Sequence, residues 1–411
     1  MKIFLFAGEA SGDLHASHVV RSLRGRWKSL GKADAELDLV GWGGDRMEAE
    51  GMRLLSHYRD RAFMGLVEVL RNLRTVLGYL EKAKADIVRE QPDLIFLVDN
   101  PGFNLKLAEF AKELGIPVHY YIAPKAWAWN EGRVKKMRKC IDALYVIFPF
   151  EVGFFGDWGM PCIYVGNPIF EEMNRNMRLA QSHGGFGVKL ADIVGSETEH
   201  VVLLMPGSRK NEVKSLLPAF IKTALMENAA ARCLVAGAPG LDSEFYDQVL
   251  AEAVQDGKLS IVEKSRVTVL FGATYEILAQ LGDGNYMQGW GLASPWKGKG
   301  TALVASGTAT LETALWGVPQ VVAYQVNAIT YWAAKWLVKL KWVSLVNILL
   351  QRGLVEEHLQ DVRAEVLLGA LKRLSERENE IAAGYAELQE YLSLPDGKLP
   401  SEAIAEKMMF G

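Results

Sequence analysis

Cysteine is scarce in this chain, and what there is lies scattered. Cys140, Cys162 and Cys233 are the only three in 411 residues, and no two share a C-x-x-C spacing. Disulfide frameworks and zinc sites need clustered thiols, so neither is expected, and a reducing compartment fits. A surplus of positive charge is missing too, because 46 Lys and Arg against 49 Asp and Glu leave a formal −3. Duplex binding usually wants a clearly basic face, so no nucleic acid is expected as a partner. Long apolar runs are also absent. The start, MKIFLFAGEASGD, has one Lys and a run that stops at Glu9, too short for a signal-peptide core. The stretch ALVASGTATLETALWGVPQVVAY at 302–324 would put Glu312, Pro319 and a Ser-Gly-Thr cluster at lipid depth, which a membrane helix avoids. The expectation is a cytoplasmic protein without transmembrane helices.

What is present is globular: half the residues are hydrophobic and 23% are charged. The chain is too long for one ordinary core, and two domains of about 150–200 residues each are the natural division. Strand and helix alternate in the first half. Strands are expected at Lys2–Ala7, Leu37–Gly41, Leu94–Val98, Val118–Ile122 and Ala143–Phe148, with helices to about Arg24, over Gly65–Arg89 and over Asn104–Leu114. The pattern restarts after Pro168, with strands at Val201–Met205 and Arg232–Ala236 and a helix at Glu212–Met226. Residues 302–324 resolve into a strand, a tight turn, a helix from about Thr308 and a strand at Gln320–Tyr324. A Gly/Trp-rich stretch, 282–300, fits an inserted surface loop. From Tyr331 onward the chain is expected to be helical, ending in Ala364–Tyr391. The domains expected are 1–168, 169–363 and a helical tail at 364–411 that packs back on the first. The fold class is α/β, two Rossmann-like domains facing across a cleft where open sheets bind ligands.

The first turn, GEASGD, is neither G-x-G-x-x-G nor G-x-x-x-x-G-K-[ST], so no nicotinamide fingerprint is present. Gly8 and Gly12 let backbone approach a ligand, while Ser11 and Asp13 can cap the next helix. A well-capped turn explains the motif equally well. PGSRKNE follows an apolar strand directly. Its Gly207-Ser208 turn offers backbone N–H groups to phosphate, Arg209 adds a planar fork, and Glu212 completes the motif. A second turn of the same kind, Ser306-Gly307-Thr308, suggests a diphosphate. Glu312 lies a turn further on, with Ala309 where a capping box would need Ser or Thr. Its two oxygens can accept both hydrogens of a ribose diol, and diphosphate with ribose means a nucleotide. A nucleotide-sugar transferase is the economical inference.

Asp99 closes the strand Leu94–Val98, where a carboxylate can serve as general base or simply cap a turn. No Asp-x-Asp pair occurs, so no metal site or cofactor is expected, and Arg209 with helix dipoles must carry the diphosphate charge. Two stretches look greasy and basic. AFMGLVEVLRNLRTVLGYL at 62–80 puts Leu66, Val69, Leu70, Leu73 and Leu77 on one face, with Met64 and Val67 beside it and Arg71 and Arg74 flanking. TYWAAKWLVKLKW at 330–342 interleaves Trp332, Trp336 and Trp342 with lysines. Core packing and an interfacial helix both explain them.

These motifs together resemble the lipid A disaccharide synthase family. GEASGD, GLVEVL at 65–70, AWAWNEGRVKK at 126–136, FPFE at 148–151, PGSRKNE, SGTATLET and VSLVNILLQRGLVEEHLQ carry the resemblance, colinear from about Lys2 to Gln360. It implies a GT-B glycosyltransferase. The reaction implied joins UDP-2,3-diacylglucosamine to the 6-hydroxyl of 2,3-diacylglucosamine 1-phosphate, giving the β-1,6-linked disaccharide phosphate and UDP. By the resemblance Asp99 is the base, Arg209 and Glu312 belong to the UDP side, and Asn347 lies near them. Gly8, Ser11, Gly12, Asp13, Met64, Glu68, Leu70 and Leu73 fall to the acceptor and lipid side. Peripheral attachment to the cytoplasmic face of the inner membrane is implied, and a homodimer is compatible with it. Several positions depart from the pattern: Asn167 stands where His is expected, Val346 and Glu356 where Pro is expected, and Ala123-Pro124-Lys125 is a looser match. Two alternatives remain. One is another GT-B transferase or epimerase acting on UDP-N-acetylglucosamine, and the other a non-enzymatic membrane-interaction homologue.

Overall fold

A computed structural model describes residues 1–61, 73–195, 200–228, 232–282, 300–325 and 341–410. The described residues form two compact units. One comprises Met1–Glu171 with Leu392–Gly411, and the other Glu172–Tyr391.

The first unit is built on seven parallel strands: β1 (Lys2–Ala7), β2 (Asp38–Gly43), β3 (Arg53–His57), β4 (Leu94–Val98), β5 (Val118–Tyr121), β6 (Ala143–Val146) and β7 (Ile163–Tyr164). Their order is β3-β2-β1-β4-β5-β6-β7. Helices cover both faces, so the central strands are apolar on both sides and bury nearly everything. Alternate residues of β1 enter different cores. Phe4 and Phe6 pack with Trp42, Leu97 and Tyr120, whereas Ile3 and Leu5 pack with Val19, Leu23 and Phe96. The second core also takes Ile404, Ala405 and Met408 of helix Pro400–Phe410, which lies against helix Ala10–Ser29. Ser22 and Ser401 join these two helices by a 2.8 Å hydroxyl hydrogen bond.

The second unit repeats the plan with β8 (Val201–Met205), β9 (Cys233–Gly237), β10 (Val267–Phe271), β11 (Gly300–Ala305), β12 (Gln320–Tyr324) and β13 (Glu356–Leu359), in the order β10-β9-β8-β11-β12-β13 and again all parallel. The strand order reverses between β1 and β4 in one sheet and between β8 and β11 in the other. In open sheets of this kind the crevice at the carboxyl ends of those two strands is where ligands bind.

The chain after 341 is not helical throughout. Helices Leu345–Leu350, Ala364–Glu376 and Glu378–Leu392 are interrupted by β13, whose register is set by Val321 opposite Glu356. The first helix also runs on to Ser29 rather than ending near Arg24. Met64, Glu68 and Leu70 lie outside the described residues, as do 283–299 and 326–340. Leu73 is on helix Leu73–Glu90. Among the described residues no helix is long and apolar enough to cross a membrane.

Candidate active site

At the switch point of the first sheet the backbone is strained. Asp99 and Asn100, immediately after β4, both have left-handed φ angles, 47° and 43°, and Ile122, just after the neighbouring β5, has φ 62°. Left-handed backbone is costly for a β-branched residue and uncommon for any non-glycine, so the surroundings must hold it. They do. The Asp99 carbonyl accepts hydrogen bonds from the Asn104 side-chain amide at 2.8 Å and from the Tyr120 hydroxyl, while its N–H donates to the Tyr121 carbonyl at 2.9 Å. Gly8, after β1, leaves room for this arrangement, because a Cβ there would sit 2.2 Å from the Asn100 amide nitrogen.

The backbone that carries the Asp99 carboxyl is thereby held in place. Asp99 is exposed as a residue, yet enough protein surrounds the carboxyl that loss of hydration raises its pKa, with the Glu9 carboxylate adding to the effect. The Asn100 N–H and Lys125 pull the other way. A base poised above the usual aspartate range suits proton transfer near neutrality. Sequence reasoning did not single out Glu9, Asn104, Tyr120 or Lys125. Only their places after β1, within or after β5, and on helix Pro101–Glu113 bring them to Asp99.

The other residues of GEASGD behave differently from one another. Ser11 and Gly12 are inside helix Ala10–Ser29, whose N-cap is Glu9, and Ser11 is exposed. Asp13 is buried and does not cap its own helix. Its two oxygens accept the N–H groups of Gly44 (2.7 Å), Arg46 (3.2 Å) and Met47 (3.2 Å), so it caps helix Asp45–Ala49 instead.

The turns that follow β5 and β6 meet through a buried carboxylate. Glu151 accepts the Trp127 indole N–H at 3.0 Å and the backbone N–H groups of Ile147 and Phe148 at 3.2 and 3.1 Å. Burial pushes its pKa up to about 7 against those hydrogen bonds. AWAWN and FPFE therefore act as one piece of structure.

In the second unit the switch point lies between β8 and β11. Gly207 has φ 109°, and a Cβ on it would come within 2.4 Å of the Glu212 carboxylate. Glu212, at the third position of helix Lys210–Glu227, accepts the N–H groups of Ser208 (3.1 Å) and Arg209 (3.2 Å) and pairs with the Arg209 guanidinium at 2.9 Å. The turn is thus wrapped around a carboxylate, as half of a capping box would be. Arg209 keeps most of its guanidinium exposed, with 80% of the side chain open to solvent.

The second turn has Gly307 as N-cap of helix Thr308–Leu315, with no side chain capping it. Glu312 therefore stands in the second turn of that helix, too far along for its charge to gain from the helix N-terminus. Burial, then the charge of Glu172, raises Glu312 to about 7, and a hydrogen bond from Tyr275 opposes them. The Ser306 hydroxyl donates to the Val343 carbonyl at 2.8 Å. The Glu357 carboxylate takes up the N–H groups of Val343 and Ser344 and the Asn347 amide at 2.7 Å. Asn347 is buried, with its amide fully engaged by Val355 and Glu357, so it acts on the Ser306 turn through Glu357 and Val343.

The departures have structural uses. The Val346 N–H, which a proline lacks, donates to Ser344 Oγ at 3.1 Å. Glu356 forms a two-point pair with Arg373 at 2.8 Å. The Asn167 side chain accepts the Ile169 N–H at 3.1 Å.

Comparison with known proteins decides the family. The lipid-A-disaccharide synthetase model matches residues 3–280 and 299–391. The chain belongs to that family. As a member it is a glycosyltransferase, and the family match skips 281–298, where the sequence suggests an inserted loop. Lipid-A-disaccharide synthase of Trichlorobacter lovleyi is 33% identical over 381 residues, covering 91% of this chain and 88% of the relative. That of Pseudomonas aeruginosa is 34% identical over 373 residues, with 90% and 88% covered. Among solved structures, the UDP-GlcNAc 2-epimerase of Methanocaldococcus jannaschii, in complex with UDP-GlcNAc and UDP, superposes with a TM-score of 0.61. It covers 100% of both chains at 14% identity, a likeness of fold: two Rossmann-like α/β sheets of the GT-B type.

Proposed function

We propose that this protein transfers a 2,3-diacylglucosaminyl group from its UDP ester to the 6-hydroxyl of 2,3-diacylglucosamine 1-phosphate, with inversion, as a step in lipid A biosynthesis. The observation that carries this reading is Asp99, a carboxylate locked in left-handed backbone at the switch point of the first sheet. The first unit takes the acceptor, and the second takes UDP through the turns at 206–212 and 306–308 with Arg209 and Glu312. Asp99 accepts the proton of the attacking hydroxyl. That oxygen bonds to the anomeric carbon from the face opposite UDP, and the carbon–oxygen bond to the diphosphate breaks with its electron pair leaving on UDP. Arg209 meets the charge that builds there.

Both substrates are acylated, which accounts for the apolar face at 62–80 and supports peripheral attachment to the inner membrane. Leu77, on that face, is 44% exposed. A non-enzymatic homologue rests only on the departures at Asn167, Val346 and Glu356, each of which makes a local hydrogen bond. An epimerase reading has only the likeness of fold behind it.

The test is UDP release from the diacylated donor, with the product followed by mass spectrometry. Release should require the acceptor and match disaccharide formation mole for mole. Absence of release with this pair, or release without disaccharide, would overturn the reading.

A further inference from the structure

The mouth of the first sheet carries an aromatic cluster that the proposed chemistry leaves unused. Trp127 meets Phe150 edge-on at 5.0 Å and Phe148 at 6.4 Å, and Phe148 stacks on Phe150 at 5.8 Å. Phe148 is buried, but Trp127 and Phe150 are only half-buried. Glu151 fixes the indole through its N–H, so the ring has a set orientation and not merely a packed one. This cluster stands at the same edge as Asp99. Val98 pairs with Tyr121 and Tyr121 with Tyr145 in register, so the turns after β4, β5 and β6 emerge side by side. Lys125 lies two residues before Trp127, is exposed, and forms no ion pair among the described residues. Its charge reaches both the Asp99 and the Glu151 carboxylates.

These groups have complementary uses. The C–H face of a pyranose ring is apolar and covers an indole ring well, and sites for small ligands typically combine aromatic walls with a few placed charges. Glu9, Asp99 and Glu151 make the neighbourhood acidic, which would repel a phosphorylated sugar unless a cation stood among them. Lys125 is that cation. We propose that Trp127 and Lys125 form the acceptor-sugar subsite, the indole stacking on the pyranose and the ammonium pairing with the phosphate on that sugar. This rests on the acceptor assignment made above, and it goes further in naming which residues recognise the sugar and which its phosphate.

The test compares the acceptor with and without its 1-phosphate, on the full chain. Wild type should prefer the phosphorylated acceptor in kcat/KM. Lys125→Ala should lose about ten- to a hundredfold more on it than on the unphosphorylated one, a change common to both reporting the loss of the charge beside Asp99. Trp127→Ala should raise KM for both acceptors about tenfold or more without changing UDP affinity, and Trp127→Phe should recover most of that loss. Calorimetric binding of a short-chain diacylglucosamine 1-phosphate to the same proteins reads the subsite even if no UDP is released. Binding to wild type, weakened in Lys125→Ala and Trp127→Ala, would uphold the subsite while the transferase reading failed. Equal losses on both acceptors in Lys125→Ala, or unchanged acceptor KM and binding in the Trp127 variants, would overturn it.

Discussion

Asn104 donates its side-chain amide to the backbone carbonyl of Asp99 at 2.8 Å, and to that of Val98 at 3.0 Å. Helix Pro101–Glu113 thus reaches back to the end of the strand before it and clamps the left-handed peptide that carries the proposed base. A carboxylate on an unclamped turn would relax toward ordinary backbone, and general base catalysis depends on placement within hydrogen-bond reach.

The first prediction follows from this clamp. Asn104→Ala should lower kcat about tenfold while UDP affinity holds, and should reduce stability by about 1–3 kcal/mol by leaving buried carbonyls short of a donor. An unaltered kcat, with the stability loss present, would show that Tyr120 alone holds Asp99.

The second concerns Glu312. Glu312→Gln should weaken UDP binding about ten- to a hundredfold, because a neutral amide accepts only one of two ribose hydroxyls well. The Glu312 pKa is raised to about 7, so the ionised acceptor form prevails above that value and is lost below it. UDP affinity should therefore be steady above about pH 8 and fall as pH drops through 7, by up to about tenfold per unit. Removing the Tyr275 hydroxyl, which holds Glu312 down, should move the midpoint upward; removing the Glu172 charge should move it downward. Calorimetry across pH would show a flat profile if Glu312 had no part in the site.

These two residues also show what was legible from the amino acids. The interior strands β1, β2, β4, β5, β6, β8, β9, β11 and β12 are visible in the sequence as apolar runs, because both of their faces are covered. The four that are not visible, β3, β7, β10 and β13, are the edges of the two sheets. They are short or only partly buried, such as Glu356–Leu359, and carry little of that signal. Asp99 is recognisable because it ends an interior strand. Its clamp is not, since Asn104 and Tyr120 meet it only once neighbouring elements are paired. Asp13 illustrates the reverse: a motif position whose oxygens are engaged by another helix, Asp45–Ala49.

The third prediction concerns metal. Without an Asp-x-Asp pair, the proposed diphosphate site has Arg209 and the uncapped N-terminus of helix Thr308–Leu315 to meet its charge. Activity should survive EDTA, and Arg209→Lys should lose rate, because an ammonium lacks the planar fork. An absolute need for added magnesium or manganese would contradict this charge scheme.

A fourth concerns the membrane. Replacing Leu70 and Leu73 with Ser should release the protein from vesicles while leaving its melting temperature nearly unchanged, since each leucine contributes about 1.5–3 kcal/mol to partitioning. A large fall in melting temperature with vesicle binding intact would make these residues core.

The most direct measurement is the turnover of Asp99→Asn beside its affinity for UDP. General base catalysis contributes about 10²–10⁴-fold, so kcat for disaccharide formation should fall by that range. UDP affinity should stay within about twofold, because the nucleotide is assigned to the second unit. Retention of more than about a third of wild-type turnover would place the base elsewhere and contradict the account.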